Sequence, residues 1–163
     1  MRKELPQQLL RELLENSKRS DRDLAKVLKV SQPTITRARH KLEKNGMIED
    51  YTIIPNFRKM GFEILALTFV KMRSDVLSPE TMGEARKYAA QFPNAIFTST
   101  GEGLGMTGVI ISFEKNYTDY HRHLNLLRSD WKGLTEGIQS FVVAIGEGEY
   151  KRFSIKHLKD VPL

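Results

Sequence analysis

Two short helices separated by a turn of only two residues are predicted in the N-terminal third of the chain, and this spacing restricts its possible folds most. Ser20-Asp21-Arg22-Asp23 has the S-x-x-[DE] pattern of a capping box and opens the first helix. After the turn at Lys29-Val30, Ser31 is a candidate N-cap and Pro33 suits the first turn of the next helix. Gly46 stands where a C-terminal cap is expected. The pattern indicates a helix-turn-helix.

Elements on both sides of this motif extend it to a winged helix-turn-helix. Residues 6–16 carry leucines at helical spacing and predict a preceding helix. After Gly46, Met47-Ile48 and Tyr51–Ile54 predict two short strands joined by a tight hairpin at Glu49-Asp50. In such domains the second helix of the motif enters the DNA major groove and its N-terminal residues reach base edges.

Positive charge is concentrated in the same part of the chain. The formal net charge is +6. Residues 1–60 contain fourteen Lys/Arg and eight Asp/Glu, whereas residues 61–163 contain twelve of each. A basic half joined to a neutral half indicates two tasks, of which one involves a polyanion.

The second helix of the motif, residues 31–45, divides into an inward and an outward face. Ile35, Ala38 and Leu42 share one face at spacings of three and four, which predicts that they are buried. Gln and Arg side chains can read base edges, while Ser, Thr and Lys more often contact phosphates. Arg39 lies near the inward face, so its stem either packs there or its head reaches a phosphate. The predicted DNA-binding residues are Ser31, Gln32, Thr34, Thr36, Arg37, His40, Lys41 and Lys44.

The remainder of the chain predicts a ferredoxin-like βαββαβ domain, which makes the protein α+β. Its predicted strands are Ile64–Met72, Ala95–Thr100, Met106–Phe113 and Phe141–Ile145, with helices from Ser78 to about Gln91 and over Tyr117–Trp131. Residues 149–158 could add an edge strand. We therefore expect a winged helix-turn-helix domain over 1–54, a linker over 55–61, and the ferredoxin-like domain over 62–163.

A frame of nine residues resembles the Lrp/AsnC family of feast/famine transcription regulators. The frame consists of Ser31, Thr34, Ile35, Arg37, Leu42, Glu43, Gly46, Ile48 and Tyr51. The resemblance covers nearly the whole chain. It implies a sequence-specific transcription regulator that binds a two-fold-related site in double-stranded DNA as a homodimer or higher oligomer. It also implies that the βαββαβ domain dimerises and can sense a small molecule such as an amino acid.

The same resemblance places an effector pocket beside the turn that follows the second strand. The implied residues are Thr98, Ser99, Thr100, Gly101, Glu102, Gly103, Leu104 and Gly105. After the T-G-[DE] step the family has an aromatic residue and then an Asp, whereas this chain has Gly103-Leu104-Gly105. Because the acid that would bind a ligand ammonium is absent, the effector differs from an amino acid or does not exist.

Other functional classes find less support. The chain contains no cysteine, which excludes disulfides, thiolate metal sites and cysteine nucleophiles. Without a signal peptide or a run of about 18 apolar residues, we expect a cytoplasmic protein. His121 and His123, two residues apart, would point to different faces of a helix, so no metal site is predicted. No Ser/His/Asp arrangement stands out, and no cofactor or catalytic residue is predicted either.

Two alternatives remain open. The first is a decarboxylase of sirohaem precursors, a class that resembles the same two-domain fold and would use residues such as His121, Arg122 and His123. The second is a non-specific, chromatin-like DNA binder.

Overall fold

The computed structural model describes residues 4–161, which divide into two compact units. Within these residues, one unit extends to Ile54 and also contains the tail from Lys151, and the other unit is Pro55–Tyr150. The sequence analysis instead assigned the tail to the domain over 62–163.

The first unit is a bundle of short helices: α1 (Leu5–Glu15), α2 (Asp21–Leu28) and α3 (Gln32–Lys44). The capping box forms as predicted, since the Ser20 hydroxyl accepts the backbone N–H of Asp23 and donates to the Asp23 carboxylate. Leu9, Leu24 and Ile35 are fully buried, one from each helix. The apolar stripes that predicted the helices therefore meet in one core.

The predicted wing strands are wrong, because residues 48–56 form no strand in the structure. A two-residue hairpin needs positive φ at one or both central residues. Among the described non-glycine residues only Lys29 and Leu104 have positive φ, so Glu49-Asp50 do not form such a turn. The segment is instead held by the Tyr51 phenol, which donates to the Glu43 carboxylate across 2.8 Å.

The tail forms a short 3-10 helix over Ile155–Asp160, so the predicted edge strand is also wrong. The Ser154 hydroxyl accepts the backbone N–H of Lys156 and begins the helical turn, which takes that N–H away from any strand ladder. The helix contacts α1, and Lys159 forms an ion pair with Glu15.

The second unit confirms the ferredoxin-like βαββαβ order. Its strands are β1 (Ile64–Met72), β2 (Ala95–Gly103), β3 (Met106–Glu114) and β4 (Thr135–Ala144), and its helices are α4 (Pro79–Ala89) and α5 (Tyr117–Asp130). The sheet is antiparallel with the order β2-β3-β1-β4. β4 begins earlier than predicted, where Glu136 pairs with Lys71 of β1 at 2.5 Å.

The glycine-rich segment at 101–105 is a tighter turn than its composition predicts. β2 continues through Gly103, and only Leu104-Gly105 lie in the turn. Both residues have positive φ, +53° and +69°, as in the type I′ hairpin turn that suits antiparallel strands. Leu104 thus occupies a position that favours Asn or Gly, with 85% of its surface exposed.

The two faces of the sheet are covered differently. Ala66, Thr68 and Val70 of β1 are buried on the face that carries the helices. Leu65, Leu67 and Phe69 alternate with them and are only partly buried. On this second face Phe57 and Phe62 pack against the Phe113 ring, with centroids 4.1 and 5.8 Å away. The rest of this face stays open. There Leu67 of β1 lies opposite Phe141 of β4, and Phe141 is exposed.

Replacing Leu104 with Asn should stabilise the second unit by about 1 kcal/mol, because Asn, whose short polar side chain can hydrogen-bond locally, adopts left-handed backbone more readily than Leu does. Urea unfolding measures the change. Glu102→Asn, on exposed strand backbone two residues earlier, is the control and should not stabilise. Equal effects of the two substitutions would show that backbone strain at Leu104 is not the cause.

Candidate nucleic-acid interface and ligand cavity

Helix α3 presents the predicted contact residues on its outer surface. Ile35, Ala38 and Leu42 are buried as predicted. Thr34 is half-buried, and the other predicted DNA-binding residues are exposed, namely Ser31, Gln32, Thr36, Arg37, His40, Lys41 and Lys44. The helix therefore buries one stripe and leaves a polar, basic stripe accessible along its length.

The beginning of α3 is a shallow concave surface lined by Gln32, Pro33, Thr36 and Arg37. Ser31 occupies the N-cap position, but its hydroxyl lies 2.7 Å from the Thr34 hydroxyl and does not cap the helix through a backbone N–H. The Nε of Arg37 donates to the Pro33 carbonyl across 3.2 Å. This bond fixes the inner part of the guanidinium at the helix surface.

The sequence left open whether Arg39 packs within the fold or reaches a phosphate, and in the structure its guanidinium contacts other residues of the same unit. Its Nε donates to the Asp21 carboxylate across 2.8 Å, and its Nη1 lies 3.2 Å from the Tyr51 hydroxyl. The side chain is only 18% exposed. Thr36 also donates to Asp21, at 2.7 Å. One acid at the start of α2 thus holds two residues of α3.

Tyr51 connects this pair to the segment after α3. Burial disfavours the charged form of Arg39, but hydrogen bonds to Tyr51 and Asp21 outweigh burial and raise the Arg39 pKa. Burial, with the hydrogen bond to Glu43, raises the pKa of the Tyr51 phenol despite the opposing effect of Arg39. The phenol therefore stays neutral and donates to Glu43. We call Asp21, Arg39, Tyr51 and Glu43 the bracing network.

The bracing network was missed at the sequence level. Tyr51 and Glu43 belong to the family frame, but their mutual contact is not visible in it. Tyr51, in an irregular segment, contacts two residues of α3 that lie eight and twelve positions earlier, Glu43 and Arg39. No helix or strand periodicity predicts contacts at such spacings. Asp21 was interpreted only as part of a capping box.

The predicted effector segment is divided by the structure. Thr98, Ser99 and Thr100 line a cavity of about 510 Å³ between the sheet and the helices α4 and α5. Gly101, Glu102, Gly103, Leu104 and Gly105 are not among the residues that line it, and all are exposed. A Cβ atom at Gly101, Gly103 or Gly105 would meet nothing within 4 Å.

Glu114 lies at the cavity with only 3% of its surface exposed. Asn94 and Ser112 donate to its Oε1 across 2.7 and 2.8 Å, and the His123 Nδ1 lies 2.8 Å from its Oε2. The sequence analysis did not identify Glu114, because a polar residue at a strand end is usually solvated. Its burial depends on helix α5, which contributes His123.

The histidines of α5 point to different surroundings, as their spacing predicted. His121 contacts the rings of Tyr117 and Tyr120, whereas His123 reaches the cavity. Arg122 pairs with Asp119 at 2.6 Å. The three residues considered for a decarboxylase therefore do not converge on one site.

Residues 4–161 offer neither a metal-binding cluster nor a membrane-spanning helix. No group of three or more His, Asp or Glu residues in this range is placed to hold a metal ion. None of its helices has the length and apolarity needed to cross a bilayer.

Comparison with known proteins agrees with this geometry. A family model described as winged helix-turn-helix DNA-binding matches residues 2–49. An uncharacterized HTH-type transcriptional regulator of Pyrococcus furiosus is 37% identical over 68 residues, which are 42% of this chain and 46% of that protein. The aligned part thus spans about half the length of this curated relative.

Solved structures extend the likeness of fold to nearly the whole chain. An AsnC family transcriptional regulator from Agrobacterium tumefaciens has a TM-score of 0.80 at 18% identity, over 94% of each chain. A Neisseria meningitidis transcriptional regulator in complex with L-Met has a TM-score of 0.75 at 16% identity, over 94% of this chain and 96% of that one. At such identities the likeness concerns the fold alone, and this fold is the one that the resemblance implied.

Replacing Arg39 with Met should destabilise the helical unit by about 1–3 kcal/mol, because the stem is kept while the Asp21 carboxylate loses its charged donor. Thermal and urea unfolding measure the loss. Arg22→Met is the matched control, since Arg22 is exposed and forms no side-chain hydrogen bond or ion pair within residues 4–161. A stability equal to that of the control would show that the bracing network does not support α3.

Proposed function

We propose that this chain, whose residues 2–49 match a winged helix-turn-helix model and whose fold is similar to that of the Lrp/AsnC regulators, is a sequence-specific DNA-binding regulator of transcription. The observation that carries the proposal is the accessible stripe of polar and basic side chains on α3, held on a braced scaffold. The relative from Pyrococcus furiosus is named a transcriptional regulator, which supports the same activity and not an enzymatic one.

The distribution of charge supports a polyanionic partner for the helical unit. The tail, which contacts α1 within this unit, has four Lys/Arg and one acid over residues 151–161. The unit therefore collects basic residues from both ends of the chain. Residues 55–150 contain eleven acids and ten Lys/Arg, so the second unit adds no attraction of its own.

Two groups of residues on α3 take different roles in the proposal. Gln32, Arg37 and His40 read base edges near the helix N-terminus, where recognition helices enter the groove. Thr36 offers its methyl group to a base, because its hydroxyl is bonded to Asp21. The phosphate contacts are Ser31, Thr34, Lys41 and Lys44, which position the helix without specifying sequence.

Replacing Arg37 with Ala should weaken binding to the cognate site by about 1–3 kcal/mol and relax the preference at one position of each half-site. Selection of bound sequences from random DNA supplies the site, and titration of single-base variants measures the preference. An equal loss on cognate and random DNA would instead make Arg37 a phosphate contact.

Replacing Lys41 or Lys44 with Ala should weaken binding to all sequences similarly. Each substitution should also reduce the slope of log affinity against log salt by about one, because one phosphate contact is lost. The same titrations at several salt concentrations measure the slope, with Arg37→Ala as the comparison. An unchanged slope would contradict the assignment, and a wild-type chain with no preference over random DNA would favour the chromatin-like alternative.

The proposed assembly is a homodimer that covers the open face of the sheet. This face carries Leu65, Leu67 and Phe69 on β1, with Phe97 and Phe141 more than half exposed on the edge strands. A sheet with one bare apolar face needs a cover, and a second copy supplies it symmetrically. A two-fold dimer also presents two recognition helices to two-fold-related half-sites.

Replacing Phe141 with Lys should shift the chain toward monomer, because Phe141 lies opposite Leu67 on the open face and is 66% exposed. Sedimentation equilibrium at micromolar concentration measures the shift. Tyr150→Lys is the matched control, because Tyr150 is fully exposed and lies outside the strands. A variant that stays as dimeric as the control, or a wild-type chain that is monomeric, would remove this interface.

Modulation by a small molecule is the last part of the proposal. The structural neighbour from Neisseria meningitidis is a complex with L-Met, and this ligand of a protein with a similar fold supports the proposal. In the present chain the predicted effector residues Thr98, Ser99 and Thr100 line the cavity beneath α4.

A further inference from the structure

We propose that the cavity between α4, α5 and the sheet binds a small organic amine, with its ammonium group at Glu114 and its apolar body under α4. The inference rests on the proposed function in one respect: the bound molecule would modulate the proposed regulator. Every residue that lines the cavity belongs to the second unit, so the site is complete within one chain.

The cavity exists because small residues face one another across it. The inward face of α4 contains Ala85 and Ala89, and no residue of this helix is fully buried. Opposite them the sheet presents Gly108, Thr98 and Thr100. Protein interiors normally contain few voids larger than a water molecule. A space of about 510 Å³ lies instead in the range of ligand pockets.

The middle of the cavity suits an apolar or aromatic body. Met82 and Leu127 line it together with a cluster of three aromatic rings. In that cluster the Tyr88 ring lies 4.9 Å from Phe92 and 5.5 Å from Trp131, measured between centroids. Tyr88 is kept neutral, since burial and the hydrogen bond to Asp130 raise its pKa. The rings offer apolar contact and, through their faces, attraction for a cation.

The polar end of the cavity is a buried carboxylate with donors on both oxygens. Within residues 4–161 Glu114 pairs with no Lys or Arg, and its partners are Asn94, Ser112 and His123. A carboxylate can accept about four hydrogen bonds, so Oε2, with one partner, has capacity for a further donor. The Phe92 ring lies 6.0 Å from that of His123 and thus borders this end.

An ammonium is the group that satisfies this end best. It donates hydrogen bonds, and it offsets a negative charge in a place where water screens weakly. Among the described residues, Arg86 is the only Lys or Arg that lines the cavity, and its side chain is exposed to solvent. Attraction of an anion by Arg86 is therefore more strongly screened than attraction of a cation by Glu114.

The test uses three probes with similar bodies and different end groups: 2-phenylethylamine, 2-phenylethanol and 3-phenylpropanoate. Isothermal titration calorimetry on the full chain without DNA measures their binding. We expect the amine to bind more tightly than the alcohol and the carboxylate to bind least. Glu114→Gln should weaken the amine about tenfold or more, because a charge-assisted hydrogen bond is lost, while the alcohol is little affected.

A second variant tests the location without changing the buried carboxylate. Ala89→Leu fills the cavity from α4 and should abolish binding of the amine, with a melting temperature no lower than that of the wild type. Ala90→Leu is the matched control, because Ala90 is exposed and does not line the cavity, and it should bind normally.

Several results would overturn the proposal. They are no binding of any probe to the wild type, tighter binding of the carboxylate, unchanged amine affinity in Glu114→Gln, and unchanged affinity in Ala89→Leu. Because calorimetry is performed without DNA, a failure of the proposed DNA binding would leave these results unaffected. Repeating the titration with bound DNA then measures coupling, which must be reciprocal.

Discussion

The hydrogen bonds that Asp21 accepts from Arg39 and Thr36 are the constraint on which the helical unit's surface depends. Helices of eight and thirteen residues are too short to be stable alone, so their mutual orientation is fixed by a small core and by contacts such as these. Asp21 joins the first turn of α2 to the middle of α3. Its carboxylate also suits the positive end of the α2 dipole. The orientation of α3 and of its exposed stripe therefore depends on the small core and on this one acid.

The bracing network also explains how the segment after α3 is kept in place without strands. Tyr51 both receives a hydrogen bond from Arg39 and donates one to Glu43, which satisfies its polar atom on each side. Arg39 additionally lies over the Tyr51 ring at 5.9 Å. A side-chain network thus replaces the strand ladder that the sequence predicted for a wing. Because Arg39 takes part in this network, it is not counted among the basic residues of α3 that could contact DNA.

Periodicity and capping signals predicted the helices of the first unit and β1, because these features depend on neighbours a few residues apart. The spacing of Ile35, Ala38 and Leu42 alone predicts their burial, and the spacing of the polar and basic residues of α3 predicts the exposed stripe. The wing strands and the tail strand were mispredicted, since their backbone geometry depends on Tyr51 and Ser154 forming contacts that pattern does not encode. The cavity was unpredictable for the same reason. Ala85, Ala89 and Gly108 are ordinary residues until the fold sets them opposite one another.

Neither face of the sheet is completely covered, and the two faces differ in what is missing. On one face large side chains such as Leu67 and Phe141 remain without cover, so burial there requires another surface of comparable size. On the other face the covering helix is present, but its small residues leave a void with a buried carboxylate at one end. A void lined only by apolar groups can stay empty, whereas a polar one holds water or a ligand. A large apolar face favours a macromolecular partner, and a cavity with a buried carboxylate at one end favours a small one. The single sheet therefore carries both the surface that we propose for assembly and the site that we propose for a ligand.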